Sequence, residues 1–73
     1  MKPGDIVEVE WDDHAFHQGE YAAQGVARFR SVGYFVREDV GVFCLAMSLT
    51  EHGRPYDTLA IDKRTLVRKR RVR

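Results

Sequence analysis

Near the amino terminus Val7, Val9 and Trp11 alternate with Glu8 and Glu10, and no stretch of the chain sustains a helical period. Strict alternation of β-branched and aromatic side chains with charge is the mark of a strand with one face on a core and one in water. That pattern sets the class. The chain has 73 residues, enough for one domain. A domain of this size buries only about 60% of the surface of its unfolded chain, so its core is thin.

The remaining elements follow from pattern and punctuation. A polar stretch over 12–25 (DDHAFHQGEYAAQG) follows the first strand. It is long for a loop in a compact domain and is expected to fold back on itself or to contain a helical turn around Glu20–Ala23, with Phe16 and Tyr21 as anchors. A second strand is expected over 26–37. Its length at about 3.3 Å per residue would be roughly 40 Å, too long to stay straight in so small a domain. Gly33 is the expected bend, since glycine inside a strand often marks one. A third strand is expected over 40–49, with Phe43, Leu45, Met47 and Leu49 towards the core and Val42, Cys44, Ala46 and Ser48 on a small-residue face. Gly53 and Pro55 signal a turn. A fourth strand is expected over 57–62, a short break over 63–65, and a last strand over 66–72. A long first loop, three meandering strands and a tight turn before the last strand match the order of an SH3-like barrel. Such a barrel is one way for short antiparallel strands to avoid open edges. The expectation is therefore a single all-β domain over 1–73, a five-stranded SH3-like barrel.

Cys44 is the only cysteine, and a lone thiol in a small domain argues against an oxidising compartment. The amino terminus lacks the apolar segment of a signal peptide, and no apolar run reaches the roughly 18 residues of a membrane span. A cytoplasmic location is expected, with no membrane partner.

The residues also carry a resemblance. The segments VEVEW (7–11), RSVGYFV (30–36), LAMSL (45–49) and LAIDKRTLVRKRRV (59–72) resemble small uncharacterised proteins encoded by bacteriophages and prophages. Those relatives tend to have proline and glycine before the last strand, where this chain has residues 62–65. The resemblance implies a small β-barrel of phage or mobile-element origin, located in the host cytoplasm, and implies no activity.

Charge is unevenly placed. Residues 1–27 hold Lys2 against six carboxylates, whereas 28–73 hold eleven cations against five carboxylates. The densest run is Arg68, Lys69, Arg70, Arg71 and Arg73. One reading is phosphate binding, since guanidinium groups neutralise phosphates and bind them bidentately. The other is cross-strand pairing of Arg68 and Arg70 with Glu8 and Glu10, because the first and last strands of an SH3-like barrel are neighbours. Under that second reading Lys69, Arg71 and Arg73 remain as the row for a nucleic-acid partner.

The aromatics beside the long loop, Trp11, Phe16, Tyr21 and Tyr56, are the candidate protein-binding set. They are equally suited to a core. His14 and His17 beside Asp12 and Asp13 have the ligand types for zinc but no fixed geometry, so no metal is expected. Nothing in the sequence brings His14, His17 or His52 to Cys44 as base and nucleophile. Neither a phosphate-binding glycine loop nor any other cofactor signature occurs. The expected function is a non-enzymatic interaction module with a protein partner or a second copy of itself. Nucleic-acid binding and a small structural part of a virion are the alternatives. No small-molecule substrate is expected.

Overall fold

A computed structural model describes residues 1–13 and 27–73. The strands are β1 (Ile6–Asp13), β2 (Ala27–Glu38), β3 (Val42–Leu49), β4 (Pro55–Asp62) and β5 (Leu66–Arg71). All neighbours run antiparallel, in the order β4-β3-β2-β1-β5. The chain is thus all-β, as expected. The first strand reaches two residues further than the VEVEW pattern indicates: Asp12 and Asp13 continue the ladder opposite Arg28 and Ala27.

β2 is shared between two neighbours. Its first part, to Tyr34, pairs with β1, and its last part, from Tyr34 to Glu38, pairs with β3. Gly33 lies one residue before this handover. A Cβ built there would stand 2.6 Å from Leu45 Cδ1 and 2.7 Å from the carbonyl oxygen of Ala46. Glycine is needed because the Leu45 side chain and the Ala46 carbonyl of β3 occupy the space a side chain would take. A bend is expected at Gly33, and a register shift follows between Phe35 and Arg37. Val36 is the extra residue, and it reverses the phase of β2. Glu38 is thereby set beside Phe43 in the ladder, on the core side of the sheet.

The sheet is open, since among the described residues no ladder joins β4 to β5. It is nevertheless curled. Four strand spacings of about 4.8 Å would hold flat outer strands about 19 Å apart. Only residues 63–65 connect β4 to β5, a reach of at most about 14 Å. Asp62 secures this turn, accepting hydrogen bonds on Oδ1 from the Arg64 backbone at 2.9 Å and on its carbonyl from the Thr65 hydroxyl at 2.7 Å.

The core holds Val7, Val9, Phe35, Phe43, Leu45 and Ile61, with Trp11, Leu59 and Leu66 packed against it. Each fully buried aliphatic or aromatic side chain contributes about 1.5–3 kcal/mol relative to exposure. Phe43 and Leu45 occupy the expected face of β3, but Met47 is 43% exposed. Cys44 and Ala46, from the small-residue face, are buried, flanked in the ladder by Arg37 and Tyr34 on one side and by Ala60 and Thr58 on the other. Among the described residues no helix is long and apolar enough to cross a membrane.

Candidate functional site

Three strands build the charged face of the molecule. In β1 the side chains of Val7 and Val9 enter the core, so Glu8, Glu10 and Asp12 occupy the opposite face. The register sets Arg28 and Arg30 of β2 across from Asp12 and Glu10, and Arg68 and Arg70 of β5 across from Glu10 and Glu8. Arg68 Nη2 donates to Glu10 Oε1 at 2.7 Å, and Arg70 Nε donates to Glu8 Oε1 at 3.0 Å. Arg28 forks onto both oxygens of Asp12, at 2.7 and 3.1 Å. Its hydrogen bond to Asp12 and the charge of that carboxylate hold the Arg28 proton more tightly than usual. The result is a row of carboxylates lying between two rows of guanidinium groups. Of the two readings of the basic last strand, cross-strand pairing is the one realised for Arg68 and Arg70.

The row expected to stay free behaves differently. Lys69 lies opposite Val9, on the core side of β5. Its ammonium donates to Glu38 Oε2 and stands 5.5 Å from the centre of the Phe43 ring. Lys63, in the turn after β4, reaches the same oxygen at 2.7 Å and donates to the Asp39 carbonyl at 3.0 Å. These two lysines hold the Glu38 carboxyl below its ordinary range, the hydrogen bond from Lys63 first. Lys69 is therefore not a free phosphate contact. It fastens β5 and the preceding turn to the end of β2 where the sheet stays open. Arg71 and Arg73 are exposed and have no carboxylate partner among the described residues. Sequence reasoning missed Glu38 because the phase reversal at Val36 turns it inward; Gly33 is the only visible signal of a bend nearby.

Of the candidate aromatic set, Trp11 and Tyr56 lie among the described residues. Trp11 stacks on Phe29, with ring centres 5.0 Å apart, and its indole N–H donates to the Ser31 hydroxyl at 3.1 Å. It is a packing residue beside Leu66 at the start of β5. Tyr56 is 68% exposed at the opening of β4, six residues or roughly 20 Å from that strand's other end. Phe16 and Tyr21 lie outside the described residues, as do His14 and His17. Among the described residues no group of three His, Cys, Asp or Glu side chains could hold a metal. Cys44 is buried in the middle of β3, whereas His52 sits in the β3–β4 turn with 81% of its side chain in solvent. A shallow hollow of about 180 Å³ is lined by Pro3, Gly4, Phe35, Val36, Leu49, Gly53 and Pro55. That lining offers no ionisable side chain.

The two edges of the sheet differ. β4 opens with Pro55, which has no N–H to offer, and Asp57 has φ of 61°. A left-handed residue breaks the extended run, and Asp57 is missing from the ladder that Tyr56 and Thr58 make with β3. That edge is blunted. β5 carries a bulge near its start, where Val67 is left without a partner between the Trp11–Leu66 and Glu10–Arg68 pairs, and from Arg68 to Arg71 its register is regular. An edge of this kind presents alternate N–H and C=O groups to any extended chain that approaches.

No family model, curated protein or solved structure matches the chain.

Proposed function

We propose that this chain is a non-enzymatic protein-interaction module, a small SH3-like barrel of phage type, that binds its partner by strand addition to the outer edge of β5. The SH3-like reading is supported by the strand order and by the three-residue connection that draws the outer strands together. The observation that supports the function is the contrast between the edges: β4 is interrupted in mid-strand at Asp57, while β5, past a bulge at Val67, runs in regular register over Arg68–Arg71 with no strand on its outer side among the described residues. Strand addition derives affinity from main-chain hydrogen bonds and specificity from alternate side chains. It needs no pocket and no catalytic group.

A photo-crosslinking residue at Val67 on β5, compared with one at Tyr56 on β4, tests this against a host lysate with and without nuclease. A protein captured from position 67, insensitive to nuclease and absent from position 56, is the expected result. A strictly monomeric protein that captures nothing from position 67 would overturn the reading. Capture that vanishes with nuclease would replace it with nucleic-acid binding, for which Arg71 and Arg73 are the available cations.

A further inference from the structure

Charge alternates across the outer face in the direction of the hydrogen bonds. β2 contributes Arg28 and Arg30, β1 contributes Glu8, Glu10 and Asp12, and β5 contributes Arg68 and Arg70. The sheet ends on a basic row. From this alternation we infer that the strand added to β5 is an acidic one, an extended segment with carboxylates at alternate positions set beside Arg68 and Arg70. The inference rests on the strand-addition reading above and names the chemistry of its partner.

β1 is the internal template for such a strand. It meets β5 with Glu8 across from Arg70 and Glu10 across from Arg68, and each pair closes to hydrogen-bond distance. A guanidinium carries five N–H donors. The Arg68 and Arg70 side chains remain 67% and 59% exposed after pairing, so each retains donors on its solvent side. A carboxylate arriving from the free edge would meet these groups as Asp12 meets Arg28, between facing strands on the same surface. On the other face Arg71 stands across from Val7 and has no carboxylate partner among the described residues. The intervening, uncharged positions of such a strand would face this side.

The same charges exclude a second copy of β5, which would set arginine and lysine against arginine and lysine; like charges directly opposite destabilise a ladder. The acidic strand among the described residues, β1, is already paired on both sides. A partner of different sequence is therefore required.

The test uses the full chain, isotopically labelled, titrated with a peptide of alternating valine and glutamate. The same peptide with glutamine and an oligothymidylate of equal charge serve as the other probes. Amide shifts confined to Leu66–Arg71, weakening as salt rises, are expected with the glutamate peptide. The glutamine peptide is expected to bind about tenfold or more weakly, the equivalent of about 1.4 kcal/mol. Arg68→Gln and Arg70→Gln together should remove the preference for the glutamate peptide over the glutamine peptide, and a preference left intact would overturn the inference. Equal binding of the glutamate and glutamine peptides at β5 would overturn the acidic preference and leave strand addition standing. Silence of β5 with both peptides would overturn both. Equal shifts from the oligothymidylate would show that β5 reads charge rather than an extended acidic chain.

Discussion

Gly33 and Asp57 are the two residues whose backbone surroundings decide what can replace them. At Gly33 the obstacle is contact. A methyl group would meet both a core side chain and a carbonyl oxygen of β3 at under 3 Å, and the carbonyl cannot swing away. Gly33→Ala should destabilise by about 1–3 kcal/mol, the usual range for overpacking, read from the midpoint of urea unfolding. A midpoint equal to the wild type would mean that β3 does not press on β2 there. At Asp57 the obstacle is conformation, since φ is 61°. Asp57→Val should cost about 1–2 kcal/mol, because a β-branched side chain is poorly accommodated in the left-handed region. Asp57→Gly should be neutral or stabilising in the same assay. The sequence marks Gly33 as special but suggests a bend, whereas the contact is only visible once β3 is laid across it. Asp57 has no sequence signal at all beyond its neighbour Pro55, since aspartate in an alternating run reads as an ordinary outward residue.

At the level of strands, alternation makes β1, β4 and β5 readable to within about two residues: β1 ends later and β4 begins earlier than the pattern indicates. It also puts Glu8 and Glu10 in phase with Arg70 and Arg68, so their pairing is legible in the sequence as one of two concrete alternatives. These ion pairs are largely exposed on their arginine side, so each contributes modestly, about 0.2–1 kcal/mol. Glu10→Arg and Arg68→Glu should each destabilise, and the double exchange should recover most of the loss. Thermal unfolding of the four proteins in a double-mutant cycle gives the coupling, and strict additivity of the two changes would show that the pair contributes nothing. β2 is the least legible strand. Phe29 and Phe35 share one parity while Val32, Tyr34 and Val36 share the other. Phe29, Val32, Tyr34 and Phe35 all precede the inserted Val36, so this mixture does not locate the insertion, whose position depends on how Phe43 and Leu45 seat against the strand. Once Val36 is placed, the inward turn of Glu38 and its union with Lys63 and Lys69, far away in sequence, follow.

The whole molecule depends on acid-sensitive contacts at the end where the sheet stays open. Glu38 is held below its ordinary 4.5 by Lys63 and Lys69. Asp39 is held below 3.8 by the backbone amides of Gly41 and Val42 and by Arg37. Asp62 is lowered from 3.8 to about 2 by the side chain and backbone of Arg64. Each group binds its proton more weakly in the folded chain than in the unfolded one, so acid favours unfolding. Stability should hold above the ordinary values and decline as pH falls from about 4.5 towards about 2. Melting temperature measured across that window should fall less steeply for Asp62→Asn than for the wild type, and parallel curves would remove Asp62 as a contributor. Much of this scale is legible in the sequence: five antiparallel strands and a tight turn before the last strand. The open seam and its lysine clasp are not, because they arise from how far the curled sheet fails to close.

The left-handed kink at Asp57, with Pro55 before it, gives the sheet a direction. Growth can begin at β5 but cannot be passed on through β4, and a copy of this chain has no unpaired acidic strand among its described residues to offer to the next. Whatever docks on β5 would thus receive one copy and then stop. On the strand-addition proposal, a row of strands that accepted this chain would end on its β4 edge.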